Sequence, residues 1–359
     1  MDSGNGADGA RAFHTGVAAA LLSALLFGVT TPIAKQLLTG TSPVLIAGLL
    51  YLGSGVGVSV LRLVQDRGWS ATGLGGRDWV WLALSTLVGG VVAPALLMTG
   101  LAHVDAASAS LLLNLEVVFT AALAWVVFNE PAGARVVIGL AAIFVGGLVL
   151  VWPARFSSAG NLSALSAIVA ACLCWALDNN LTRKISASDA RVLAAIKGLT
   201  AGVTNTVLAL SFGALLPPAS RGLEILGIGF MGYGLSLVLF IVALRQLGTA
   251  RTGAYFATAP FIGAVAAMLF YGQPGESAFW LAAFCMGVGV WLHVTEHHEH
   301  EHVHEPLSHS HAHTHDAHHQ HDHGFEWDGV EPHTHQHRHG WLSHRHAHFP
   351  DIHHRHGHG

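Results

Sequence analysis

One stretch of the sequence is written twice. Residues 106–152, AASASLLLNLEVVFTAALAWVVFNEPAGARVVIGLAAIFVGGLVLVW, return in outline at residues 249–295, an offset of 143. Each copy has two apolar runs joined by a short polar hinge. The first hinge is Asn129-Glu130-Pro131; Gln273-Pro274 falls where Glu130-Pro131 falls, and Pro260 where Val117 falls. Each run holds about 20 residues, the length of helix that crosses a hydrocarbon layer ~30 Å thick. A backbone in that layer must satisfy its own polar groups, so such runs fold as helices.

Composition extends this to most of the chain. Of 359 residues, 52% are hydrophobic and 11% charged, where a soluble domain carries about 25% charged. Apolar segments lie near 16–38, 43–64, 77–101, 107–128, 134–152, 161–182, 190–213, 222–244, 250–272 and 277–295. The expected fold is an all-α membrane protein: about ten transmembrane helices, followed by a disordered, His-rich tail. Residues 1–15 are polar, and the run 16–38 lacks a small-x-small cleavage site, so it is read as a retained first span rather than a signal peptide. Cys172, Cys174 and Cys285 all lie in apolar runs and indicate no disulfide framework. Gly53/Gly57 and Gly198/Gly202 have the small-xxx-small spacing of close helix contacts.

Basic loop residues set the orientation. With a cytoplasmic N-terminus, the inner side holds Arg11, Arg62, Arg67, Arg77, Arg135, Arg183, Lys184, Arg191, Arg245 and Arg251, against only Arg155 and Arg221 outside. Both termini are then cytoplasmic and the protein sits in the inner membrane.

The duplication reaches the earlier helices too. FGVTTPIAK from Phe27 matches WALDNNLTR from Trp175, with Lys35 meeting Arg183 at an offset of 148. Two repeats of five helices follow, 16–155 and 156–295. An odd helix count inserts the second copy upside down, and such a 5+5 inverted repeat lets one central site open to either face in turn.

On these residues the chain resembles the drug/metabolite transporter superfamily, specifically EamA-type permeases. ASASLLLNLEVVFTAALAWVVFNEP with GLAAIFVGGLVLV, and GAYFATAPFIGAVAAMLFYGQP with the last helix, carry the likeness over residues 16–295. The resemblance implies a 5+5 inverted-repeat fold with a central cavity between the halves. Its substrates would come from the amino acids, other metabolites and toxic compounds that such permeases move. The chain departs from the pattern at Glu116, beside the place where the family often has proline; the second copy keeps Pro260.

Charge at membrane depth is costly and marks sites or ion pairs. Glu116 lies mid-span without an opposite charge at its depth in the neighbouring sequence. Such a carboxylate is a candidate to bind a proton or a substrate's cationic group; the alternative is a buried, neutral, hydrogen-bonded side chain. Asp178 heads the cluster Asp178-Asn179-Asn180, and Lys197 lies at similar depth, about 8 Å inside the cytoplasmic boundary at about 1.5 Å per residue. They serve either a cavity or one structural ion pair. Lys35, near an outer end, has snorkelling as its simple explanation. Asn114, Tyr255, Tyr233, Asn205 and Trp175 are weaker cavity candidates. His103 and Asp105 read as a solvated outer turn rather than a metal site. No Walker A loop, nucleophile elbow or HExxH occurs, so neither ATP hydrolysis nor another enzymatic activity is expected.

Of 27 histidines, 24 follow residue 296. A shift of 35 overlays residues 298–324 on 333–359. His298, His300, His302, His304, His309, His311 and His313 then meet His333, His335, His337, His339, His344, His346 and His348. The tail 296–359 is a duplicated module with 3 basic and 10 acidic residues. Neutral imidazole suits zinc, nickel or cobalt, and the tail has no thiol to build a closed Cys-type zinc site. Divalent metal is thus the ligand expected there; the alternative is a solubilising tail that binds metal incidentally. No cofactor is required. The expected partners are the lipid bilayer and a small molecule or ion, with a homodimer as a candidate assembly and no nucleic acid. The leading reading is a secondary transporter with a metal-binding tail. The alternatives are a transporter of Zn, Ni or Co itself, and a membrane-anchored metal sensor or store that does not transport.

Overall fold

A computed structural model describes residues 4–65, 74–128, 134–152, 159–185, 189–272 and 275–295. In the tail it describes 299–304, 308–313, 333–338 and 342–347. Both hinges, Arg67 and Arg155, and His298, His339 and His348 lie outside the described residues. The chain forms two compact units, Met1–Glu296 and His297–Gly359.

All regular secondary structure among the described residues of the first unit is helical. Spans one and two are α1 (Gly4–Leu37) and α2 (Pro43–Gln65). The third joins α3 (Gly76–Ser85), a π-helical segment Thr86–Val92 and α4 (Ala93–Leu101). The fourth is broken into α5 (Ala106–Leu112) and α6 (Leu115–Phe128). Then come α7 (Ala134–Val151), α8 (Ala159–Thr182) and α9 (Ala190–Ser211). After α10 (Ala219–Gly229), a second π-helical segment Phe230–Leu235 leads into α11 (Ser236–Phe256), α12 (Ala259–Tyr271) and α13 (Ser277–Val294). Among the described residues, eight helices are long and apolar enough to cross a membrane, and two shorter apolar ones, Ala259–Tyr271 and Ser277–Leu292, accompany them.

One helix is two limbs. The residues from Phe240 to Phe256, both on α11, would run about 24 Å along a straight helix, yet their rings stand 5.0 Å apart. The chain therefore reverses within α11, between the eighth and ninth spans.

The duplication is visible in geometry. The π-helical segment at 86–92, moved by 143, lands on 229–235, where the second one lies. The break after Leu112 recurs after Phe256. Helices of one repeat pack chiefly on those of the other: α2 on α9, α7 on α13, α1 on α11 and α12, and α8 on α4 and α6. The repeats interleave around one apolar core that includes Leu45, Leu97, Leu111, Ile143, Ile168 and Met286.

Glycines make these contacts close. A Cβ on Gly146 would meet the Ala282 carbonyl at 2.9 Å, and one on Gly289 would collide with the Gly139 carbonyl. These are the same contact seen from each repeat, since 146 and 139 become 289 and 282 at offset 143. Gly53 and Gly57 receive Leu226 and Phe230 of the eighth span, while Gly198 lies on Gly55 and Gly202 on Leu52.

Basic residues close helix ends. Lys35 donates to the carbonyls of Leu101 at 2.7 Å and Ala102 at 3.0 Å, capping α4. Arg221 reaches the carbonyls of Gln36, Leu37 and Thr39 at the end of α1. Cations at a helix C-terminus satisfy its free carbonyls and its dipole. Lys35 is thus a cap, more specific than a side chain snorkelling to water. Asp105 caps α5, accepting from the Ser108 amide at 2.7 Å, which makes the His103–Asp105 turn a helix start.

In the second unit, where an irregular chain is expected, four short strands are described: β1 (Glu299–His304), β2 (Ser308–His313), β3 (His333–Arg338) and β4 (Leu342–Ala347). β1 pairs with β4 and β2 with β3, both antiparallel. Alternation of His with other residues has the period of a strand, which is the local reason for the extended form.

Gly289→Val should destabilise the protein by about 1–3 kcal/mol through overpacking against backbone. Gly227, in α10 with nothing within 4 Å of its absent Cβ, should gain about 0.5–1 kcal/mol as Ala. Thermal melts of the two purified variants in one detergent will check the opposite signs.

Candidate functional site

The site begins with a backbone defect. In the π-helical turn of the third span, the Ala93 amide bonds back to the Val88 carbonyl, five residues earlier. Continuing that register, residue 94 would bond to Gly89. Residue 94 is proline and has no N–H to give. Two side chains supply donors instead: Trp175 Nε1 to the Gly89 carbonyl at 3.0 Å and Tyr51 Oη to the same oxygen at 3.3 Å. Asn205 Nδ2 serves the nearby Val91 carbonyl at 3.1 Å. The second repeat needs no such rescue, because Leu237 stands where Pro94 stands and keeps its N–H. Phe27, the counterpart of Trp175, has no donor and packs edge-on against Tyr233 at 5.8 Å.

Gly89 has a second task. A Cβ there would collide with the Asp178 carboxylate. Its counterpart Gly232 accommodates Thr30 in the same way, and Thr30 is the residue that meets Asp178 at offset 148. The repeats thus share one socket, filled by a hydroxyl in one half and a carboxylate in the other.

The carboxylate is fully engaged. Lys197 Nζ lies 2.6 Å and 2.8 Å from the two Asp178 oxygens. Thr182 donates to Asp178 Oδ1 at 2.9 Å, and its hydroxyl accepts from Lys197 at 3.2 Å. Asp178 is buried and Lys197 nearly so. The pair predicted as one reading of the sequence forms.

Glu116 lies one helix away, in the first turn of α6 just past the break at 113–114. Its partner is neutral: Asn179 Nδ2 donates to Glu116 Oε1 at 2.9 Å and contacts Thr120 Oγ1 at 3.3 Å. Asn180 Nδ2 bonds the carbonyls of Ala176 at 2.8 Å and Thr120 at 3.3 Å. Asn180 therefore braces α8 on α6, and Asn179 presents a polar edge.

That edge is exposed. Asn179 is exposed, as are Leu162, Leu173 and Leu177 on the same helix. The leucines form one stripe, and Asn179 lies about 130° round the helix from its centre at 100° per residue. Asn179 is thus exposed on a different side of α8 from the leucine stripe, and Glu116 is half-buried beside it.

Two sequence candidates fall elsewhere. Asn114 is buried at the break, donating to the Leu111 carbonyl at 3.0 Å and contacting Met286 Sδ at 3.8 Å, so it braces the break against α13. Tyr255 packs beside Ala19, Ala20 and Ala243 between α1 and α11, in a separate apolar cluster. Cys172 is buried, with Sγ 3.5 Å from the Leu112 carbonyl. Gly89, Tyr51, Thr120 and Thr182 belong to the site without having been singled out. The match of Gly89 to Gly232 at offset 143 was the available signal for the first. Among the described residues of the body, no group of three or more His, Cys, Asp or Glu could hold a metal ion.

Interleaved inverted repeats, broken helices and a polar cluster buried at their crossing define a membrane transport protein. Comparison with known proteins gives the family. Residues 14–152 and 162–295 each match the EamA-like transporter family, and the chain belongs to that family. An uncharacterized transporter of Methanothermobacter thermautotrophicus is 27% identical over 289 residues, covering 76% of this chain and 84% of its own. A crystal structure 17% identical in sequence matches with a TM-score of 0.58, over 77% of this chain and 95% of its own. That likeness carries the fold alone.

Removing one partner of a buried ion pair strands the other charge, at a cost of about 3–5 kcal/mol. Lys197→Met should lower the stability of the purified protein by that order. Asp178→Asn added to it should recover most of the loss. Melting of the single and double variants in detergent measures both; equal loss in the two would mean that the pair is not coupled.

Proposed function

We propose that the protein is a secondary transporter of a small metabolite or cation, working by alternating access across the inner membrane with both termini cytoplasmic. Glu116 carries the coupling proton or receives the substrate's cationic group. Asn179, Thr120 and Thr182 line the approach, and the Asp178–Lys197 pair fixes α8 against α9. The tail holds divalent metal on the cytoplasmic side.

One observation carries this reading. Of the two carboxylates deep in the spans, Asp178 is neutralised by Lys197, whereas Glu116 meets a neutral, exposed amide. An ion pair is spent on structure. A carboxylate beside an exposed amide remains available to a proton or a cation. The broken helices support alternating access, because irregular backbone at membrane depth occurs where it is buried in protein or lines a cavity. The rival reading, a divalent metal as cargo, finds no ligand group among the described residues of the body.

The test is uptake into proteoliposomes holding the full-length protein. Radiolabelled amino acids, a cationic dye and radiozinc are offered with and without an inward pH gradient. At least one organic solute should accumulate only with the gradient, and Glu116→Gln should abolish that accumulation while solute exchange at equal pH survives. Accumulation that persists in Glu116→Gln overturns the role of Glu116. Radiozinc uptake alone would make the metal the substrate, and no flux of any probe would favour a sensor.

A further inference from the structure

The tail's register has a property that the sequence duplication alone does not require. In the β1–β4 ribbon His300 lies opposite His346 and His302 opposite His344. In the β2–β3 ribbon His309 lies opposite His337, His311 opposite His335 and His313 opposite His333. Apart from His304, which lies opposite Leu342, every histidine in the four strands faces another histidine across its ladder.

The pairings are also the same pairing. β1 and β2 belong to the first module; β3 and β4 belong to the second. Moving His300 and His302 by 35 gives His335 and His337 in β3, and moving His346 and His344 back by 35 gives His311 and His309 in β2. The pairs 300–346 and 302–344 thus become 335–311 and 337–309, the pairs observed in the other ribbon. Each module lends one strand to each ribbon, so the two modules exchange strands in a reciprocal, two-fold fashion, as like surfaces do in symmetric pairing.

Residues i and i+2 of a strand share a face, and residues directly opposite share it across the ladder. His300, His302, His344 and His346 therefore occupy neighbouring positions on one face of one ribbon. His309, His311, His335 and His337 do so on the other. On the alternate face Glu301 stands opposite Arg345 in the register. Four imidazole-bearing positions, no thiol and an acidic surplus match the ligand number and type of zinc and of its nitrogen-preferring neighbours nickel and cobalt. A two-stranded ribbon is marginal alone in water, and a bound metal would supply the missing stability.

We infer that the tail forms two equivalent divalent-metal sites, one from His300, His302, His344 and His346 and one from His309, His311, His335 and His337, each requiring both modules. This rests on the reading that the tail binds metal, and it goes further in denying that either module binds tightly by itself.

Calorimetric titration of the full-length protein in detergent with zinc chloride tests it. The intact chain should take up two zinc ions tightly. A variant lacking residues 325–359 should lose both tight sites, because the strands it keeps have lost their partners. His344→Ala with His346→Ala should remove one site. Adding His300→Ala and His302→Ala should then change nothing further, whereas adding His309→Ala and His311→Ala should remove the second site. One tight site surviving in the truncated chain would overturn the shared-site arrangement while leaving the tail a metal binder. No tight zinc uptake by the intact chain would overturn the tail's metal role as well, and would leave the transport reading standing on its own test.

Discussion

The body depends on backbones that approach to contact. Hydrocarbon gives helices little reason to associate by burying apolar surface, because lipid tails are as apolar as leucine. What remains is close packing, and here it occurs where glycine lets one helix lie on another's carbonyls. The two contacts at Gly146 and Gly289 are one contact used twice. Because such contacts join one repeat to the other, neither repeat has a complete packing surface alone. A motion that exchanged the roles of the repeats would keep the same set of contacts available, which is the physical appeal of an inverted duplication.

Within that near-symmetric frame the chemistry is one-sided. Pro94 removes an amide that Leu237 keeps, and Trp175 supplies a donor where Phe27 has none. Asp178 fills the socket that Thr30 fills opposite. Glu116 and Thr120 stand where Ala259 and Gly263 stand. In the second half a Cβ on Gly263 would lie 2.6 Å from the Gly28 carbonyl; in the first half the corresponding crossing carries Asn179, Thr120 and Glu116. Helices close on bare backbone in one half and through polar side chains in the other. Widened turns of this kind often mark functional positions, and the widened turn of the third span lies beside Asp178 and Trp175.

Much of the fold was legible in the sequence, because membrane spans are set by run length and the duplication by comparison of the chain with itself. The site was legible by half. Glu116, Asp178, Asn179, Asn180 and Lys197 stood out as polar residues in apolar runs, and they do converge. Gly89, Tyr51 and Thr182 did not, because each looks ordinary until the backbone defect at Pro94 gives it work. Tyr255 was singled out for residue type and position in the ninth span, and the helix turns it into the α1–α11 contact. Asn114 marked the break rather than the site, since its side chain satisfies the carbonyl of its own turn. The cross-strand matching of histidines could not be read from spacing, which fixes period but not register.

The difference between the two carboxylates comes down to what their partners can accept. Lys197 has three donors and no acceptor, and its ammonium is the counter-ion of the Asp178 carboxylate. Thr182 donates to the same carboxylate. Protonating Asp178 would break this arrangement and leave an ammonium without its counter-ion. Asn179 is different. Its amide can donate to a carboxylate through Nδ2 and accept from a carboxylic acid through Oδ1, with a rotation of the side chain between the two. Under the proposed function, Glu116 would keep a hydrogen bond to Asn179 in either protonation state, with no counter-ion to strand. A coupling residue must be satisfied in both of its states, or the cycle stalls in the better one. Asn179 is exposed. Under the proposed function, Asn179 would then belong to the working part of the site as much as Glu116.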